Sequence, residues 1–142
     1  MMLLNRSVII LFFVFLLVGC GSQKRVSTFP VSGKVLVNGK PAVDLFVTFH
    51  PTPKKDGQSF MPYGKTDEKG DFQLNTFANG DGVPLGDFLV VFEWREKSGA
   101  FKNQFNGTDR LKGKFSNPES STFKVSVING SNILEPFELK TK

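Results

Sequence analysis

The chain has 142 residues, with 18 Lys and Arg against 13 Asp and Glu, and it contains one His and one Cys. This length fits one domain of ordinary size. A single Cys excludes an intrachain disulfide and a Cys-based zinc cluster, and a single His excludes a His-rich metal site. The 16 Phe against one Trp and one Tyr indicate internal packing rather than a surface on which sugars stack.

Residues 1–19 are predicted to be a targeting segment rather than part of the fold. Arg6 is the only charge before an apolar run of eleven residues, 8–18. A helix of that length spans about 16 Å at ~1.5 Å per residue, which is too short for a bilayer core of ~30 Å. A short basic region followed by such a run is typical of a secretory signal peptide.

The apolar run ends in Leu17-Val18-Gly19-Cys20, which resembles the bacterial lipobox. The resemblance implies cleavage between Gly19 and Cys20 and a diacylglycerol, with palmitate-type chains, on the Cys20 thiol. Because each buried CH₂ contributes about 0.8 kcal/mol, several acyl chains would hold the protein on a membrane durably. Gly21 stands where an Asp retains many lipoproteins at the inner membrane, so we expect the outer membrane if the cell has two. The alternative is an ordinary free or buried Cys.

The rest of the chain divides into a tether and a domain. Residues 20–29 contain the expected acylated Cys and a polar stretch, GSQKRVST at 21–28. Eight such residues reach at most about 28 Å, so the domain is expected to stay close to the bilayer. Residues 30–142 form the expected β-sandwich domain.

From residue 31 onward, apolar and polar residues alternate with period two between recurring turn residues, a pattern that favours β-strands. Pro62 and Pro136 place their strands at sheet edges or at a bulge, and the segment 87–94, apolar on both faces, indicates a central strand. Seven short strands indicate an all-β, two-sheet antiparallel sandwich. The predicted strands lie close to residues 31–37, 45–49, 60–66, 72–76, 87–94, 122–127 and 133–139.

Six short motifs occupy these strands and turns. They are VSGKV at 31–35, NGKP at 38–41, VTFHP at 47–51, TDEKGDF at 66–72, GDGVPLG at 80–86 and FSNPESST at 115–122. Together they resemble the carboxypeptidase regulatory-like domain and cover nearly all of the chain after the tether. The resemblance implies a transthyretin-like (prealbumin-like) sandwich, similar to small bacterial lipoproteins of which most have no assigned activity. It implies a scaffold and does not identify a ligand.

No arrangement of residues typical of catalysis is evident. A Ser-His-Asp triad needs a correctly placed His, and His50 is the only one, beside a Pro at a predicted strand end. Asp67, Asp71 and Asp81 lie in Gly-containing loops, but a calcium site needs six to eight converging oxygens, so we interpret these loops as turns. We therefore expect no enzyme activity, no metal and no cofactor.

The segment 95–115 is the candidate binding region. It has six basic against two acidic residues, an excess equal to that of the whole chain from Cys20 onward, and it contains Phe101 and Phe105. Loops longer than about 12 to 15 residues are usually functional or disordered. We expect either a solvated insertion or a site for an anionic glycan, a lipid headgroup or an acidic envelope protein; nucleic acid fits the charge but not the compartment. The candidate residues are Arg95, Lys97, Lys102, Arg110, Lys112 and Lys114.

These features predict a lipid-anchored protein of the bacterial cell envelope that presents a non-catalytic β-sandwich as a binding or assembly module. The alternatives are a structural spacer without a ligand and an enzyme whose site is not recognisable.

Overall fold

The computed structural model describes residues 26–53, 60–98 and 104–141. The predicted signal peptide, the cleavage and acylation residues Gly19 and Cys20, most of the tether and the candidate residue Lys102 lie outside the described residues. In the described ranges, no helix has the length and apolar character needed to cross a bilayer.

The described residues are almost entirely β-structure, with one short 3-10 turn at Pro118–Ser120. The strands are β1 (Thr28–Phe29), β2 (Val31–Val37), β3 (Lys40–Pro41), β4 (Phe46–Thr52), β5 (Tyr63–Lys65), β6 (Asp71–Gln73), β7 (Val83–Pro84), β8 (Gly86–Glu93), β9 (Lys124–Val127), β10 (Asn132–Ile133) and β11 (Phe137–Leu139).

Two larger sheets enclose the hydrophobic core. In the first sheet β2 pairs with β3, β6, β10 and β11, and the second has the order β5-β4-β8-β9. The strands β1 and β7 form a separate two-stranded ribbon. Buried side chains of both larger sheets belong to one core, and the ring of Phe92 in β8 lies 5.2 Å from the ring of Phe137 in β11. The predicted all-β class is therefore confirmed, and the arrangement is that of a β-sandwich.

The alternation of apolar and polar residues determines which face of each strand is buried and which is exposed. Leu45, Val47 and Phe49 are each 0% exposed, because residues two apart on a strand point to the same face. In β2, Val35 is buried while Lys34 points outward, where its ammonium lies 2.9 Å from a carboxylate oxygen of Asp71 in β6.

Turn chemistry and strand positions also follow the prediction. Asn38 and Gly39 adopt φ of 51° and 78° and connect β2 to β3, as a tight hairpin turn requires. The strand β8 is central, since it pairs with both β4 and β9, and β5, which follows Pro62, is an edge strand.

The structure differs from the predicted antiparallel seven-stranded sandwich in two respects. It has eleven strands in the described residues, four of which are only two residues long. The last predicted strand is divided into β10 and β11, and both run parallel to β2. Pro136 lies between these two strands and has no N–H to donate to a neighbouring strand. The parallel direction arises because the chain leaves β9 in one sheet and crosses to β2 in the other.

Candidate functional site at the end of β8

The chain does not leave β8 as a long loop but continues it as a hairpin. Residues 94–98 and 104–110, here called the β8 hairpin, lie side by side. The amide of Ser98 donates to the carbonyl of Gln104 at 2.7 Å, and the reverse bond is 3.4 Å. The amide of Arg110 donates to the carbonyl of the first hairpin residue at 2.8 Å. The described part of the candidate binding segment is therefore a hairpin followed by hydrogen-bonded turns rather than an unstructured insertion.

Asp109 closes the base of the β8 hairpin. Its Oδ1 accepts hydrogen bonds from the amides of Trp94 at 2.9 Å and Leu111 at 3.0 Å, and its Oδ2 accepts from Gly113 at 2.8 Å. Leu111 is 3% exposed and belongs to the core. One carboxylate thus connects the hairpin to the turn that anchors it in the sandwich. This role of Asp109 was not predicted from the sequence, although an Asp two and four residues before amides that it can cap is a recognisable turn signal.

Arg110 lies over the indole of Trp94. Its guanidinium carbon is 3.7 Å from the ring centroid, and the indole is fixed because its Nε1 donates to the carbonyl of Val43 at 2.8 Å. A planar guanidinium stacks well on an aromatic face and keeps its N–H edges free for an anion. No salt bridge among the described residues includes Arg110, which is exposed.

Phe105 on the returning arm of the hairpin makes contact with the body of the sandwich. The ammonium groups of Lys65 and Lys97 lie 4.8 Å and 5.1 Å from its ring centroid. Its ring meets that of Phe46 edge to face at 5.2 Å. The hairpin is therefore held against the start of β4 and the end of β5 by aromatic and cation–π contacts.

Asp44 forms ion pairs with two of the nearby cations. Its carboxylate oxygens lie 2.7 Å from the Lys65 ammonium and 2.6 Å from the Lys97 ammonium. The hydrogen bonds from Lys65 and then Lys97 lower the pKa of Asp44 despite its partial burial. Asp44 also adopts φ of 60°, a left-handed conformation that Asp tolerates better than most residues. Neither Asp44 nor Lys65 was predicted from the sequence as a site residue.

These groups surround an open groove of about 430 Å³. Arg95, one of its cations, lies 3.1 Å from Glu93, and this hydrogen-bonded carboxylate raises the pKa of Arg95. Lys97 is paired with Asp44. Arg110 is thus the groove cation that forms no ion pair with the described residues. The lining residues are Val43, Asp44, Trp94, Arg95, Glu96, Lys97, Phe105 and Arg110.

The structure brings together only some of the predicted basic residues. Arg95, Lys97 and Arg110 line the groove. Lys112 lies on the following turn, exposed and with φ of 54°. The Lys114 ammonium donates to the carbonyl of Lys140 at 2.8 Å, so it fastens the C-terminal segment.

The other residues weighed in the sequence lie elsewhere. Asp67 accepts hydrogen bonds from the amides of Asp71 and Lys69, which lower its pKa. Burial raises the pKa of Asp81, but three amides that donate to its carboxylate outweigh this effect and lower it. The interpretation of both as turn residues is confirmed. His50 is half-buried in β4, opposite Leu89. Within the described ranges, no three His, Cys, Asp or Glu side chains come together in a metal-binding group.

A larger groove, of about 800 Å³, lies over β2 and β6. Its charges are already paired or occupied: Lys34 pairs with Asp71, Lys65 with Asp44, and Asp67 caps its own turn. The groove beside Arg110 is therefore the better candidate for a charged ligand.

The β8 hairpin lies at the end of the sandwich opposite Val26, the first residue that the structure describes. The segment before β2 pairs with β7, directly before β8 begins at Gly86. The eight residues of β8 rise about 3.3 Å each and so span roughly 23 Å. The hairpin continues beyond that distance, so the groove lies at the end of the sandwich away from β1 and β7.

Comparison with known proteins gives little for this chain. No protein-family model matches the sequence, and no curated protein matches it. Among solved structures, a 9R-lipoxygenase from Cyanothece is similar over 80% of this chain, with 13% sequence identity and a TM-score of 0.40. The chain spans 16% of the length of that protein, and a likeness of this degree carries no argument about fold or activity.

Proposed function

We propose that this protein is a bacterial cell-envelope lipoprotein whose domain binds a carboxylate- or phosphate-bearing partner at the β8 hairpin. In this proposal residues 1–19 are removed, Cys20 carries the lipid anchor, and the sandwich is of the transthyretin-like, carboxypeptidase regulatory-like type. The domain acts by binding, without catalysis, and its groove is presented on the side away from the anchor.

Sequence features support the anchor. Cys20 is the only Cys, and it stands where the apolar run gives way to a polar stretch. The finer fold proposal is supported by the seven strands of three or more residues, because these overlap the seven segments predicted from the alternation. Of the four additional two-residue strands, β3 and β10 pair with β2, and β1 and β7 pair with each other.

The position of Arg110 is the observation that carries the binding proposal. Its guanidinium is stacked on a Trp94 indole that is itself hydrogen-bonded to the backbone. A side chain held in this way loses less conformational freedom when it forms a bidentate pair with an anion. The carboxylate of Asp44 is paired with Lys65 and Lys97, and that of Glu93 with Arg95. Glu96 also lines the groove, but no salt bridge among the described residues joins it to Arg110.

The test compares capture of envelope components by the chain from residue 21 onward and by single-charge variants. Arg110→Ala is expected to weaken binding at least about tenfold at low salt, because a charge-assisted hydrogen bond contributes about 1.5–3 kcal/mol. Capture by Arg110→Lys, which keeps the charge but loses the planar guanidinium, should fall between that of the unaltered chain and that of Arg110→Ala. Capture should weaken as salt rises.

Lys124→Ala is the matched control, since Lys124 is an exposed cation of β9 outside the groove. It should leave capture unchanged. Equal losses in Arg110→Ala and Lys124→Ala would show that net charge alone is responsible and would contradict the proposed site.

A spacer without a ligand is the second candidate. It is favoured by the internal pairing of Arg95 with Glu93 and of Lys97 with Asp44, which lowers the charge that the groove presents. The spacer predicts no capture by the unaltered chain even at low salt.

A further inference from the structure

The end of the sandwich opposite the β8 hairpin exposes aliphatic side chains. Val26, Leu85 and Ile128 are exposed by 47, 56 and 64%. We call these three residues the apolar end. Isolated exposed apolar residues are ordinary on protein surfaces, whereas a contiguous group indicates contact with another apolar phase.

Strand register places the apolar end together. Thr28 pairs with Pro84 in an antiparallel ribbon, so the chain just before it runs past Leu85. Gly86 pairs with Val127, also antiparallel, so Ile128 continues beside Leu85 on the other side. Ile133 is also strongly exposed, but it lines the groove over β2 and β6 and is not part of this end.

The length of chain outside the structure indicates what covers this end. Val26 is six residues after Cys20, and six residues extend at most about 21 Å. If Cys20 is acylated, Val26 cannot lie farther than that from the bilayer surface. The turn between Ile128 and β10, Asn129-Gly130-Ser131, is polar but uncharged, as suits contact with lipid headgroups.

We propose that the apolar end rests on the anchoring bilayer, with its aliphatic side chains at the boundary between headgroups and acyl chains. This inference rests on the proposed acylation of Cys20. The contact fixes the orientation of the domain, so that β8 extends away from the membrane from its first residue onward. The groove beside Arg110 then lies at the end of the domain farthest from the membrane. The anionic partner is then a component beyond the anchoring membrane rather than a lipid of that membrane.

The chain supplies its own control for a test, because Trp94 is the only Trp and lies at the far end of β8. The full chain, purified with its lipid, is reconstituted in vesicles whose acyl chains carry bromine, a short-range quencher of Trp fluorescence. In a Trp94→Phe background, the variants Leu85→Trp and Ile128→Trp each place one Trp at the apolar end. Both positions are exposed, and a thermal melt checks that the fold is retained.

Brominated lipid is expected to quench the Trp at position 85 or 128 at least twofold relative to unbrominated lipid, while native Trp94 remains unquenched. If the protein floats with the vesicles but the Trp at position 85 or 128 is not quenched, the inference is overturned while the lipid anchor is retained. Equal quenching at both ends would overturn the proposed orientation. If the Trp is not quenched and the protein is a dimer, the apolar end contacts a second copy of the chain and the inference is overturned. If the protein does not float with the vesicles, both the lipid anchor and the inference are overturned.

Discussion

Replacing Cys20 with Ala is expected to abolish acylation and leave residues 1–19 attached to the protein. Only a thiol can form the thioether with diacylglycerol, and the lipobox resemblance implies that cleavage follows acylation. The variant should therefore accumulate as an uncut precursor, heavier than the processed polypeptide by the mass of the leader, which immunoblotting and mass measurement detect. Normal removal of the leader in Cys20→Ala would contradict the lipobox interpretation.

A second variant separates the lipid anchor from the leader. The uncut leader would itself hold Cys20→Ala on the membrane, because it contains eleven consecutive apolar residues. Replacing residues 1–20 with a secretory signal that is cut by ordinary signal peptidase removes both possible anchors. Nearly all of this protein should appear in the soluble fraction, whereas the unaltered chain should remain with membranes. Retention of the replaced form on membranes would mean that lipid is not the principal attachment.

Phe92→Ala is expected to destabilise the domain by about 3–5 kcal/mol, as for other buried Phe truncations. Phe92 is 0% exposed, and its ring lies 5.2 Å from those of both Phe123 and Phe137. Truncation leaves a cavity where the two sheets meet. The loss is a large part of the 5–15 kcal/mol typical of a domain and should lower Tm by about 15 °C.

Phe77→Ala is the control with the same chemical change at a surface site. Phe77 is 59% exposed and makes one edge contact, with Phe60 at 5.8 Å. We expect it to lose about 1 kcal/mol or less. Chemical denaturation of the two variants gives the comparison, and similar losses would contradict the placement of Phe92 in the core.

The strands were predictable because their signal is local. The alternation of Leu45, Val47 and Phe49 is sufficient to define a buried face, and each of these side chains is buried. Asn38-Gly39 likewise specifies its turn by the positive φ of both residues. Such features depend on neighbours within a few positions of the chain.

The features that the sequence did not predict depend on distant contacts. The pairing of the chain after Trp94 with itself involves the Asp109 carboxylate, which accepts hydrogen bonds from amides on both sides of the hairpin base. The parallel direction of β10 and β11 depends on the crossing from one sheet to the other. The alternation of apolar and polar residues shows which face of a strand is buried, but it does not show which strand lies beside it.

The candidate site shows the same limit in its charges. The sequence predicts a basic segment from a count of cations, but the count does not show which of them are neutralised. Asp44 is far from Lys97 in the chain yet lies 2.6 Å from its ammonium. Arg110 is the groove cation left without an ion pair among the described residues, and this follows from tertiary structure.

The mass of the native protein tests the central claim most directly. The protein is extracted from membranes of its own cells with detergent, and its intact mass is measured without reduction or digestion. The account predicts a polypeptide of residues 20–142 plus a diacylglycerol on the Cys20 sulfur. An unmodified chain of 15.8 kDa, with its leader present and its thiol free, would contradict it.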